Sequence, residues 1–286
     1  MTESSPLEWQ FAGDPPKIAA GNIQIAYERA GDGDGVLLIM GLGAGRRAWK
    51  FQMPSLSKRY DVVCFDNRGA GDSDAPEQGW SLEDMTADAM AVMDAVGFQR
   101  AHIVGASVGG CIAQELVLNH PQKALSLTLI SAHHGGPDVV PTDPEAFKEI
   151  RPAMGGDPQA GLAAIRHSFS AAYLRDHPQV LDQMAREAAE HSPPVHGLRN
   201  QVMAAVQWSM AGGSVSRLGQ ITVPTRVLHG GEDKMVPVEN GRMLAEKIPG
   251  ARLRIWEDAG HNVIMEKAAE LNEDLIDHFL GASPAR

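Results

Sequence analysis

The chain has 286 residues, 43% of them hydrophobic, and 36 acidic against 25 basic side chains give it a formal net charge of -11. That length supports one large core with an insertion, or two small domains, and the absence of a Lys/Arg-rich run that could track a phosphate backbone argues against nucleic acid as a partner. No apolar run approaches the ~18 residues of a membrane span, and the N-terminus has no basic region followed by an apolar stretch, so a cytoplasmic protein without a membrane span is expected.

Residues 1–16 read as a loosely held arm. IQIAYERA (23–30) and VLLIM (36–40) read as strands around the turn-forming GDGDG, and DVVCFD (61–66) as a third. SLEDMTADAMAVMDAV (81–96) predicts a helix opened by a capping box from Ser81 to Asp84, with Leu82, Met85, Ala89, Val92, Met93 and Val96 on one stripe facing the core. The strand AHIVGA (101–106) leads into a helix over 108–119, followed by the strand ALSLTLIS (124–131). TRVLHG (225–230), a helix near 238–247, ARLRIWE (251–257) and a final helix near 263–280 complete the series. Nearly continuous apolar strands alternating with helices predict an α/β fold, a mainly parallel sheet between two helix layers. Cys64 and Cys111 are the only cysteines and read as small buried hydrophobes.

One segment interrupts the alternation. Between His133 and Gly219 there is no good strand, while residues 159–169, 178–191 and 195–210 have helical patterns. A structureless loop of that length is implausible, so 133–219 is expected to be a helical cap inserted into a core formed by 17–132 and 220–286.

The chemistry centres on Gly105-Ala-Ser-Val-Gly109. A serine hydroxyl is a weak nucleophile until a base takes its proton, and a sharp turn from strand to helix projects it toward a substrate. Glycines two residues before and two after relieve the crowding of that turn, so Ser107 is the candidate nucleophile. An orienting acid and a base should sit at the carboxyl ends of later strands. Asp233 and His261 do so, in the order expected for this type of site, with Glu232 and Asp258 as alternative acids. The oxyanion donors should be the backbone N–H groups of Val108 and of Leu42, in the loop MGLGAG (40–45). His133 and His134 lack a further carboxylate or histidine at ligand spacing, so no metal site is expected. The polar turn from Asp66 to Ser73 reads as scaffold hydrogen bonding.

The GASVG elbow, the DNRGAGDS turn, the HGGED acid loop and the AGH histidine loop together resemble the α/β-hydrolase superfamily over about residues 18–280. The resemblance implies a cofactor-free serine hydrolase with Ser107, Asp233 and His261 as its triad, of esterase or enol-lactonase type. It further implies a small or medium, largely apolar ester or lactone as substrate, taken into a pocket for which Met40, His133, Trp208, Met210 and Val236 are the candidate lining residues. Two positions depart from the family pattern. Met40 stands where many members have histidine, and Ala106 stands where carbon–carbon bond hydrolases usually have asparagine. Hydrolases of ring-cleavage products and enzymes of the perhydrolase or haloperoxidase type share the same triad and size. A non-hydrolytic small-molecule receptor on the same fold is the reading from another class. The sequence is compatible with a homodimer without requiring one.

Overall fold

A computed structural model of the chain describes residues 8–154, 164–191 and 194–282. Its centre is an eight-stranded sheet of β1 (Lys17–Ala20), β2 (Ile23–Ala30), β3 (Gly35–Ile39), β4 (Asp61–Phe65), β5 (Ala101–Ala106), β6 (Ala124–Ile130), β7 (Thr225–Gly230) and β8 (Arg252–Trp256). The spatial order is β1-β2-β4-β3-β5-β6-β7-β8. The β1–β2 and β2–β4 pairs are antiparallel and the other pairs are parallel, so β3 through β8 all end at the same edge of the sheet.

The apolar runs are continuous because these strands are covered on both faces. Every residue of β3, β4 and β5 is buried. Side chains alternate across the pleat, with Leu37, Ile39, Val63, Phe65 and Ile103 facing one cluster and Val36, Leu38, Val62, Cys64 and Val104 the other. Against the first face pack α2 (Leu82–Ala95) and α3 (Val108–Asn119). The second face is covered by α1 (Met53–Leu56) and, at the end of the chain, by a short helix Val263–Glu266 and a long one Ala268–Ala282. The capping box at Ser81 is present, the Ser81 hydroxyl accepting from the Asp84 N–H while the Asp84 carboxylate accepts from the Ser81 N–H.

Between β6 and β7 the described residues contain no strand. They form α4 (Pro144–Met154), α5 (Ala171–Asp176), α6 (Val180–His191) and α7 (Val195–Met210), and beyond β7 the series continues with α8 (Val238–Lys247), α9 (Val263–Glu266) and α10 (Ala268–Ala282). Of the helix expected over 159–169, residues 159–163 lie outside the described residues; 164–165 are helical and 166–168 tighten into a single 3-10 turn. The final helix is two rather than one, broken at Lys267, whose φ of -123° and ψ of 35° are non-helical. No described helix is long and apolar enough to cross a membrane.

Candidate active site

Ser107 sits between the last residue of β5 and the first of α3 with φ 53° and ψ -125°, one of two non-glycine residues with positive φ among those described. That conformation is costly for an L-residue and persists because the surroundings impose it. The Ser107 N–H donates to the Ile130 carbonyl at 2.8 Å, and the Gly110 N–H donates to the Ser107 carbonyl at 2.8 Å. The space around the elbow admits no side chains: a Cβ at Gly105 would lie 2.3 Å from the Gly109 carbonyl oxygen, and one at Gly109 would lie 2.2 Å from that of Ile39. Both glycines are required by close packing, as their spacing around the serine implies.

Asp233 and His261 meet across the loops after β7 and β8, with His261 Nδ1 2.7 Å from Asp233 Oδ2. Asp233 is 5% exposed. Burial alone would raise its pKa, but the facing His261 and hydrogen bonds from His229 and His261 outweigh it and bring the carboxyl down to about 2. The other two carboxylates point elsewhere. Glu232 is exposed and accepts from the Ala171 N–H at 3.3 Å, and Asp258 pairs with Lys267 at 2.7 Å. No hydrogen bond joins Ser107 Oγ to His261 among the described residues.

The loop after β3 is brought to the elbow by its backbone. A Cβ at Gly41 would lie 2.8 Å from Ser107 Cβ, so only glycine lets the loop come this close. Leu42 follows immediately, its N–H without a hydrogen-bond partner among the described residues. The loop is pinned on both sides of Leu42: Asn67 Nδ2 donates to the Met40 carbonyl at 2.7 Å, and the Gly43 N–H donates to Gln201 Oε1 at 2.8 Å. Behind it lies buried Asp66, which accepts from the N–H groups of Arg46 at 2.6 Å and Asp72 at 2.9 Å and from the Arg46 guanidinium. The Asp66–Ser73 turn is therefore scaffold for this loop, with Ser73 Oγ donating to the Asp66 carbonyl at 2.7 Å.

The remaining candidates divide. Trp208 is 6% exposed and donates from Nε1 to the buried Glu115 at 2.8 Å, with its ring centroid 6.0 Å from that of half-buried His133. Val236 serves Asp233 through its backbone, donating to Oδ1 at 2.8 Å. Met210 does not line a pocket. It is 83% exposed at the end of α7, because two residues along a helix turn the side chain to the side opposite Trp208. His134 is fully buried against the Gly135 carbonyl. Both cysteines are free and buried, and burial pushes both thiols up.

Three supporting residues are not singled out by the sequence. His229, fully buried, sets Nε2 3.3 Å from Asp233 Oδ2 and 2.8 Å from the Val236 carbonyl. Its place four residues before Asp233 at a strand end is a visible signal. Gln201 bridges Gly43 to the Arg68 carbonyl, the latter at 2.8 Å, and Glu266 accepts from the N–H groups of Gly260 at 3.0 Å and Ser170 at 3.2 Å. These last two reach between segments distant in sequence, for which no local pattern exists.

The α/β hydrolase fold family matches residues 35–268. The chain belongs to the α/β-hydrolase superfamily. A protein provisionally named carbamate hydrolase RutD from Azorhizobium caulinodans is 29% identical to this hydrolase over 262 residues, covering 91% of this chain and 97% of its own. The solved structure of an N-acyl homoserine lactone degrading enzyme superposes with a TM-score of 0.79 at 30% identity, over 92% of this chain and 99% of its own. The enol-lactonase from Burkholderia xenovorans LB400 superposes with a TM-score of 0.81 at 26% identity, over 93% and 100%. An esterase from Exiguobacterium antarcticum and a 2-hydroxy-6-oxo-6-phenylhexa-2,4-dienoate hydrolase from Comamonas testosteroni are also similar. The hydrolase thus resembles proteins acting on several kinds of bond.

Proposed function

We propose that this α/β-hydrolase is a cofactor-free serine hydrolase that cleaves a small or medium, largely apolar carboxylic ester or lactone through an acyl-enzyme on Ser107. The observation that carries the reading is the 2.7 Å Asp233–His261 pair at the sheet edge that also bears the strained Ser107. With Nδ1 committed to Asp233, the imidazole offers Nε2 as the base. His261 takes the Ser107 proton as Oγ attacks the ester carbon, and the buried carboxylate stabilises the imidazolium that results. Charge developing on the carbonyl oxygen is met by the N–H groups of Leu42 and Val108, held in place before the reaction begins. The tetrahedral intermediate collapses as His261 returns the proton to the leaving alkoxide, which in a lactone stays attached as the ring-opened acyl chain. Water, deprotonated by the same imidazole, then releases the acid and restores Ser107.

Esterase and lactonase relatives support this bond type. A carbon–carbon hydrolase is also among the relatives, but Ala106 stands where those enzymes usually carry asparagine, which favours the ester reading. The test is covalent labelling with a fluorophosphonate, whose tetrahedral phosphorus mimics the intermediate. One equivalent of label is expected on the peptide containing Ser107, absent in Ser107→Ala and strongly slowed in His261→Ala. Folded protein that neither labels nor turns over any ester or lactone would favour a receptor, and turnover confined to vinylogous diketones would favour carbon–carbon cleavage.

A further inference from the structure

His133 is the third residue beyond β6, the strand flanked by β5, which leads to Ser107, and β7, which leads to Asp233. Its backbone carbonyl is fixed from α3 by Gln114 Nε2 at 3.0 Å and Cys111 Sγ at 3.5 Å. Trp208 stands beside the ring, with centroids 6.0 Å apart. The Gly135 N–H donates to His133 Nδ1 at 3.1 Å. A backbone N–H only donates, so Nδ1 is the bare nitrogen and the ring's proton is on Nε2. Nε2 has no partner among the described residues, and unlike the Nε2 of neighbouring His134 it is not sealed from solvent.

Protonating the ring would put a hydrogen on Nδ1, facing the Gly135 N–H, and break that bond. Burial, with nearby His134 and His261 adding like charge, pushes the His133 pKa down to about 4. The group is therefore an uncharged N–H donor throughout the working range, held in one tautomer and close enough to His261 to feel its charge. A neutral N–H donor rewards an acceptor oxygen and offers no counter-charge for a carboxylate.

We infer that His133 Nε2–H binds a second, uncharged carbonyl oxygen of the substrate, so that the site selects oxo- or acylamino-substituted esters and lactones over their unsubstituted counterparts. This rests on the serine hydrolase reading above. The experiment compares kcat/KM for ethyl acetoacetate with that for ethyl butyrate, and for N-acetyl homoserine lactone with that for γ-butyrolactone, in parallel with fluorophosphonate labelling of the same samples. A preference for the substituted member of at least about tenfold is expected, flat from about pH 6 to about pH 9 because the donor does not titrate there. The loss in His133→Phe should be at least about tenfold larger for the substituted member than for the plain one, and His133→Gln, whose amide can accept from Gly135 and donate onward, should recover part of it. A purely structural role would lower both members together, and that result overturns the inference. Labelled Ser107 with no preference between paired substrates overturns it while leaving the serine hydrolase intact; failure of labelling and turnover alike removes the reading beneath it.

Discussion

The two oxygens of Asp233 are engaged separately, Oδ2 lying 2.7 Å from His261 Nδ1 while Oδ1 accepts the N–H groups of Met235 at 2.9 Å and Val236 at 2.8 Å. The backbone thus fixes the plane of the carboxylate and leaves one oxygen aimed at the imidazole. His229 approaches that same oxygen from the side.

Asp233→Asn should fold and lose about 10³- to 10⁴-fold in turnover, because an amide does not stabilise the imidazolium and favours the wrong tautomer. Glu232→Gln, on an exposed residue with no contact to His261, should cost less than about tenfold. Steady-state kinetics on an ester turned over by the wild type decides between them; the opposite ranking would mean that Glu232 is the working acid.

Gly41→Ala should reduce kcat by about 10²-fold or more while leaving the thermal transition within a few degrees, because the added methyl meets Ser107 Cβ at 2.8 Å and displaces the loop bearing the Leu42 N–H. Crystal structures of the variant with and without a bound phosphonate would show the displacement. Unchanged kcat would remove Leu42 from the oxyanion site.

Ser107→Gly and Ser107→Ala should both be inactive but differ in stability. The positive φ of Ser107 costs about 1–3 kcal/mol for any residue bearing a Cβ, and glycine removes that cost while losing about 0.5–1 kcal/mol of unfolded-state entropy advantage. Denaturant unfolding should therefore rank the glycine variant above the alanine variant. Equal stabilities would show that the elbow is not strained.

His102 gives the fold a sensitivity to acid. It is fully buried on β5, shares a hydrogen between Nδ1 and Ser126 Oγ at 2.8 Å and stacks on Phe279 with centroids 4.4 Å apart. Burial pushes its pKa from 6.5 down to about 4. Between those values the unfolded chain binds a proton that the folded one does not, so stability falls as pH drops from 6.5 toward 4 and is level on either side, a loss of about 3 kcal/mol from this group. Urea unfolding across that window should show the slope, and His102→Asn should reduce it by about that amount while His133, also held near 4, keeps the rest.

The parts of the molecule that are legible in the sequence are those made by local pattern. β5, α3, β7 and α8 fall at the expected residues because each combines an apolar run or stripe with a sharp boundary such as the Gly-Gly of the acid loop. β1 is hidden because KIAA is four residues at the sheet edge with only its last residue buried. α4 is hidden although Asp143 accepts from the N–H groups of Glu145 and Ala146, both at 3.0 Å, and Pro144 opens the helix: the start signal is present, but Pro152 inside the helix reads as a break. Ser107, Asp233 and His261 can be singled out because each follows a readable strand. Met210 misleads because hydrophobicity marks a side chain as one that prefers burial without saying which side of its helix is covered.

The helical segment between β6 and β7 is joined to the sheet at its two ends, and it is also fastened in the middle, directly to the histidine loop. The Asn262 N–H donates to the Ser168 carbonyl at 2.7 Å, Glu266 accepts from both Ser170 and Gly260, and a Cβ on Gly260 would meet the Phe169–Ser170 backbone at 2.7 Å. This helical segment is thus not an exchangeable module. A chimera that imports the corresponding segment of another hydrolase whole would replace the backbone against which the His261 loop is held, and would show altered turnover even toward substrates that touch none of the new side chains. Crossovers that retain residues 164–176 of this chain would keep the fastening and let substrate range be altered with His261 left in register.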